Sequence, residues 1–125
     1  MDKKILLVDD NPEIIESLRG ILTGYSVKTA TDGKSALSLA ASEPPDVVLL
    51  DVNIPEVHGL DVLRKLAGMR NGPIVIMITG DDTKGTVSKA LAVGVFSYLI
   101  KPLEKHEVLG QVEKAFAFRA NQTGS

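Results

Sequence analysis

Five residues able to act together chemically sit where short apolar runs end. Asp9 and Asp10 follow Ile5–Val8, Asp51 follows Val47–Leu50, Thr79 follows Ile74–Ile78, and Lys101 follows Tyr98–Ile100. Three carboxylates gathered in one crevice repel one another. At an effective dielectric of ~20, two unit charges about 4 Å apart cost roughly 4 kcal/mol. Such a cluster needs a cation or a carboxyl that keeps its proton. A hard, oxygen-rich site with few dedicated ligands suits Mg²⁺, which retains several waters. Lys101 adds a compact positive charge and Thr79 a hydroxyl donor. Together these groups can grip a phosphoryl group, whose transfer depends mostly on positioning and charge neutralisation. One carboxylate can serve as the nucleophile and become an aspartyl phosphate.

That chemistry requires elements that bring distant residues together, since Asp9 and Lys101 lie 92 positions apart. The runs Ile5–Val8, Ser26–Ala30, Val47–Leu50, Ile74–Ile78 and Tyr98–Ile100 alternate with longer amphipathic segments. Three of the runs are apolar at every position, which predicts strands covered on both faces, as in a parallel sheet under helices. Asn11-Pro12 opens a helix with a cap and a proline at its first position. Ile14, Ile15, Leu18, Ile21 and Leu22 continue it at helical spacing. Asp32-Gly33 opens a second helix with Ala36, Leu37 and Ala40 inward. Leu60, Leu63 and Leu66 mark a third. Val87, Ala90 and Leu91 mark a fourth, weakened by Gly85. Val108, Leu109, Val112, Ala115 and Phe116 mark a fifth. Strand-then-helix repeated five times predicts an α/β fold, a (βα)5 doubly wound open sheet of five parallel strands with helices on both faces. In such a sheet all five candidate residues meet at the carboxyl edge, where ligands of open α/β folds bind.

Composition narrows the class. A chain of 125 residues suits one domain with its own core, and 4% aromatic content makes that core aliphatic. There is no cysteine, hence no disulfide framework and no thiolate metal site. The net charge of −2 gives no footing for nucleic acid or an anionic membrane surface. The apolar run near the start is too short for a signal peptide, and none approaches the ~18 residues of a membrane span. The expectation is a soluble cytoplasmic domain over residues 1–118. Residues 119–125 would then form a polar tail or the start of a linker to an effector domain.

Taken singly, each of these residues has a plainer role. An aspartate at a strand end is usually a cap or turn residue, Thr79 before Gly80 can simply end a strand, and Lys101 can be a solvated charge. It is their convergence on one edge that points to function. His58 and His106 have no carboxylate or cysteine partners at ligand spacing and read as surface residues. No glycine-rich phosphate loop is present, so ATP is not expected as a direct substrate.

At these residues the chain resembles the receiver domain of two-component response regulators. The resemblance rests on Leu6-Leu7-Val8-Asp9-Asp10-Asn11, Leu49-Leu50-Asp51-Val52-Asn53-Ile54-Pro55 with Gly59, Met77-Ile78-Thr79-Gly80, and Tyr98-Leu99-Ile100-Lys101-Pro102. It covers Lys3 to Phe116 and is specific as an ordered set. It implies the flavodoxin-like strand order 2-1-3-4-5. It also implies that Asp51 is the phosphoacceptor, with a histidine kinase or histidine phosphotransfer protein as donor. Asp10, Asp51 and the Asn53 backbone carbonyl would bind Mg²⁺ directly, Mn²⁺ being a possible substitute, and Asp9 would act through metal-bound water. Lys101 and Thr79 would hold the phosphoryl group. Thr79 and Tyr98 would switch the surface of the fourth helix, fifth strand and fifth helix, and Lys101–Pro102 would be cis. Val95 and Phe96, if exposed, would add apolar area to a docking face, and Phe118 would contact a partner or a downstream domain, with Phe116 in the core. Ile54 stands where methionine is frequent, and Asn53 occupies a position whose identity tunes phosphoryl lifetime.

Two other readings use the same residues. A Mg²⁺-dependent phosphohydrolase with an aspartyl nucleophile fits the carboxylates, but Asn53 replaces the second acid such enzymes use and no cap domain is inserted. A phosphorylation-independent scaffold would be expected to have lost some of the key residues, and all are intact. The expectation is therefore a switch that promotes only its own phosphorylation and dephosphorylation, and not an enzyme acting on other molecules.

Overall fold

A computed structural model describes residues 3–52, 59–80 and 84–123. Five strands, β1 (Lys4–Val8), β2 (Ser26–Ala30), β3 (Val47–Asp51), β4 (Ile74–Thr79) and β5 (Ser97–Ile100), alternate with five helices. The helices are α1 (Pro12–Ile21), α2 (Gly33–Ser42), α3 (Gly59–Ala67), α4 (Lys84–Val93) and α5 (Lys105–Thr123). All strand pairs are parallel, in the order β2-β1-β3-β4-β5. This is the (βα)5 doubly wound sheet that the sequence predicts.

The continuous apolar runs are explained by the two cores. Ile5 and Leu7 of β1, Val47 and Leu49 of β3, and Ile74, Ile76 and Ile78 of β4 pack with α1 and α5. The intervening Leu6, Val8, Val48, Leu50, Val75 and Met77 pack with α2, α3 and α4 on the other face. Side chains alternate across a strand, so a strand between two helical layers has no position for a polar residue until it ends.

Helix starts follow their caps. Asn11 Oδ1 accepts the Glu13 N–H at 2.9 Å, with Pro12 in the first turn. Asp32 Oδ1 accepts the Ser35 N–H at 2.7 Å. One expectation needs correction. Leu91 was placed on the inward stripe of α4 but is 52% exposed. The stripe instead runs through Val87, Ala90 and Val93, three residues apart, which leaves Leu91 turned away. Val95 could join a docking face only if exposed, and it is buried. It closes the end of α4: Gly94 has φ +112 and the Val95 N–H bonds the Ala90 carbonyl at 3.1 Å. In that helix ending the residue after the left-handed glycine folds back onto the helix.

α5 extends as far as Thr123. Arg119 ties it to the amino edge of the sheet. Its Nε donates to Asp46 Oδ1 at 3.2 Å, Nη1 to the Gly72 carbonyl at 2.6 Å and Nη2 to the Asn71 carbonyl at 3.3 Å. Asp46 Oδ2 accepts the Lys4 N–H at 3.0 Å, so one carboxylate joins β1 to the end of α5. No helix among the described residues is long and apolar enough to cross a membrane.

Arg119→Ala strands a carboxylate and two carbonyls at once. Its stability is expected to fall by about 2 kcal/mol, the range for hydrogen bonds involving a charged group. Urea unfolding measures this, and an unchanged midpoint would show that the clamp is ornamental.

Candidate functional site

The site forms where β1, β3, β4 and β5 all end. Asp51 is the last residue of β3 and is buried. Asp9 follows β1 and is also buried, whereas Asp10 faces solvent. One carboxylate oxygen from each of Asp9, Asp10 and Asp51 lies within 4.8 Å of the others. Thr79 ends β4 and is fully buried. Lys101 follows β5, and its backbone N–H bonds the Thr79 carbonyl at 2.8 Å, which sets the two residues side by side.

Lys101 is the ammonium at the centre of this arrangement. Its Nζ donates to Asp51 Oδ2 at 3.3 Å and lies 3.2 Å from Asp9 Oδ2. Asp9 Oδ1 accepts the Asn11 N–H at 2.9 Å. The residue that caps α1 therefore also orients Asp9. Asp9 Oδ2 is buried, and the Lys101 ammonium 3.2 Å away offsets part of its charge.

Burial pushes the Asp9 carboxyl above its usual range. The Asn11 N–H opposes the shift, the Asp51 charge adds to it and Lys101 opposes it. Burial alone would lower the Lys101 ammonium, but the charges of Asp51 and Asp9 outweigh it and the net shift is upward. Negative charge is thus in excess at this edge even with Lys101 in place. A buried carboxylate oxygen beside two more carboxylates, in a cluster that holds no cysteine or histidine, fits a hard divalent cation such as Mg²⁺.

Comparison with known proteins fixes the family. The family model of the response regulator receiver domain matches residues 5–113. The chain belongs to the response regulator receiver domain family. It is 40% identical over 113 residues to the transcriptional regulatory protein KdpE of Mycobacterium tuberculosis, covering 89% of this chain and 50% of that protein. It is 36% identical over 115 residues to the alkaline phosphatase synthesis transcriptional regulatory protein PhoP of Bacillus subtilis, covering 90% and 48%. The chain thus spans about half the length of the curated relatives it matches. Among solved structures, a CheY-like receiver domain protein from Methanospirillum hungatei superposes with a TM-score of 0.92 at 27% identity, covering 98% of this chain and 99% of the other.

Within the receiver domain, Asp9, Asp10, Asp51, Thr79 and Lys101 all reach the one edge where sequence reasoning put them. The Lys101–Pro102 bond is cis. Tyr98 is 41% exposed on β5. It shares a sheet face with Thr79, because Met77 pairs with Tyr98 and Thr79 with Ile100. His106 is exposed. Asn53 and His58 lie outside the described residues. Sequence reasoning missed the dual contact of Lys101 with both buried carboxylates. It also missed the bond between Gly59 N–H and the Val52 carbonyl, 3.1 Å, immediately after Asp51. Spacing carries no trace of the first, and a single glycine is only a faint sign of the second.

The Asp9 shift has a consequence in metal-free protein. The folded state holds this proton more tightly than the unfolded chain, whose ordinary value is 3.8. Raising the pH from below that value through the elevated folded one therefore costs stability, and above it the cost is complete. In chelator, Asp9→Asn is expected to be more stable than the unsubstituted chain at neutral pH, with the gap closing as pH falls through that window. Urea midpoints across pH decide it; a less stable variant at neutral pH would refute the account.

Proposed function

We propose that this receiver domain takes a phosphoryl group onto Asp51 from a phosphohistidine on a sensor kinase or phosphotransfer protein. The observation that carries this reading is the setting of Asp51. It is buried at a strand end, 3.3 Å from the Lys101 ammonium and within 4.8 Å of two further carboxylates. An Asp51 oxygen attacks phosphorus, the bond from phosphorus to the donor imidazole nitrogen breaks, and that nitrogen keeps the electron pair. Asp10 and Asp51, with the Asn53 carbonyl, would hold Mg²⁺ or substituting Mn²⁺, and Asp9 would orient its water. Bound there, the ion supplies neutralisation of the carboxylates and of the incoming phosphoryl oxygens. Lys101, already between Asp9 and Asp51, transfers its donors to the phosphoryl group, and the Thr79 hydroxyl donates to another of its oxygens.

The added charge, about −1.5 to −2, draws Thr79 toward Asp51. Tyr98, on the same face and half exposed, moves into the space behind it. This biases the surface built from α4, β5 and α5, where Leu91, Ile100 and Phe118 are exposed. A following effector domain, a separate protein or a second copy would read that surface. The domain acts on its own aspartate alone, in the cytoplasm, and touches neither nucleic acid nor membrane itself.

Intact mass spectrometry after incubation with Mg²⁺ and a small-molecule phosphodonor tests the first step. One phosphoryl adduct is expected, absent in Asp51→Asn and absent in chelator. Label retained by Asp51→Asn at the same site would overturn the assignment. The second step has a separate test. Thr79→Ala is expected to form the adduct while losing the change in hydrogen exchange over α4 and β5 that accompanies it in the unsubstituted domain. An undiminished change would remove Thr79 from the switch.

A further inference from the structure

The direction of the Asp51 carboxylate depends on the backbone that follows it. Val52 is held from two sides: its N–H donates to the Ile78 carbonyl on β4 at 3.2 Å, and its carbonyl accepts the Gly59 N–H at 3.1 Å. Its side chain is buried in the cluster between the sheet and α2, α3 and α4. The Gly59 N–H is one of the donors that the first turn of a helix leaves without an internal partner, so the bond completes α3 as well as the neck beneath the site.

That neck has no room for a side chain. A Cβ on Gly59 would lie 2.4 Å from Val52 Cα, 2.8 Å from its carbonyl carbon and 2.7 Å from its oxygen. Ordinary contact begins at 3.4 Å, so the two backbones would have to part by the difference, 1.0 Å. All three obstructing atoms are main chain and cannot rotate aside. Metal-ligand distances tolerate only about 0.2 Å, so a displacement of this size next to Asp51 is large on the scale that matters.

We infer that Gly59 is a positioning residue for the phosphoacceptor. Its missing side chain lets α3 close on the Val52 backbone, and this closure fixes the Asp51 carboxylate against Lys101, Asp9 and Asp10. The inference rests on the reading of Asp51 as phosphoacceptor and metal ligand. The protein supplies its own control. Gly72 is also tightly packed, its Cβ falling 2.6 Å from the Leu66 carbonyl oxygen and 3.1 Å from that of Met69. It lies at the opposite edge of the sheet, where its carbonyl accepts from Arg119. If Gly59 served packing alone, its substitution, like that of Gly72, would lower stability and leave Mg²⁺ affinity unchanged.

Calorimetric titration with Mg²⁺ compares the unsubstituted chain with Gly59→Ala and Gly72→Ala, each at a temperature where circular dichroism shows it folded. Both variants are expected to melt lower. Gly59→Ala is expected to bind Mg²⁺ roughly ten- to a hundredfold more weakly, the usual cost of losing a group that orients a metal ligand, and to form the phosphoryl adduct more slowly. Gly72→Ala is expected to bind Mg²⁺ as the unsubstituted chain does. Unchanged affinity in Gly59→Ala, or an equal loss in Gly72→Ala, overturns the inference. Should Gly59→Ala not fold, Val52→Ala is set against Val75→Ala, both deletions in the same buried cluster. A loss of Mg²⁺ affinity confined to Val52→Ala supports the role of the neck, and equal affinities reject it. Absence of Mg²⁺ binding by the unsubstituted chain would instead remove the reading of the site, and this inference with it.

Discussion

Like charges held together at the carboxyl edge are the constraint on which the rest depends. Asp9 and Asp51 are buried, Asp10 is beside them, and Lys101 is the ammonium that reaches both buried carboxylates. One positive charge does not balance three negative ones, and at Asp9 the neighbouring Asp51 charge adds to an upward shift that comes first from burial. An edge in this state favours any cation that enters. On the proposed reading, a dication bound there would let it accept a dianionic phosphoryl group that would otherwise be repelled. On that reading the site would work as a pair of complementary deficits in sequence, first of positive charge and then of negative.

The opposite edge behaves in the reverse way. There Asp46 is satisfied by the Lys4 N–H and the Arg119 guanidinium, and the carbonyls of Asn71 and Gly72 are satisfied by the same arginine. Between the edges lie two aliphatic layers of strand residues under helices. Stability comes from those layers and from the satisfied edge, which allows the other edge to hold groups in an unfavourable arrangement. Proteins depart from local consistency at functional positions and compensate elsewhere, and here the compensation is at the far end of the same strands.

Most of this was legible in the sequence. A strand covered on both faces must be apolar throughout, so Ile5–Val8, Val47–Leu50 and Ile74–Ile78 announced themselves and so did the polar residues that end them. Cap chemistry placed Asn11-Pro12 and Asp32-Gly33 correctly because it is local. What escaped was set by packing. Leu91 and Val95 are both apolar, yet one is exposed and the other buried, because the inward stripe and the glycine ending of α4 decide between them. Arg119 looked like part of a polar tail until the fold brought Asp46 and the α3–β4 connection within its reach. The close approach of Gly59 to Val52 is likewise a property of two backbones in space.

The same difference in packing says where a change at Asp51 can travel. α1 and α2 start from side-chain caps, and α1 is joined through Asn11 to Asp9 itself. α3 is closed onto Val52 with no space between. These elements are fixed to the site and have little freedom to respond separately. α4 is held differently: Ala90 is its one fully buried side chain among those described, and Val87 and Val93 are only partly covered. Beside it, Tyr98 and Ile100 project from β5 on the face that Thr79 shares. Little buried side chain among the described residues of α4, next to half-exposed side chains on β5, fits the low-stability segments from which switching elements are drawn. Movement of a buried hydroxyl at the end of β4 would therefore be absorbed by α4 and β5 before it is felt by the helices that frame the carboxylates.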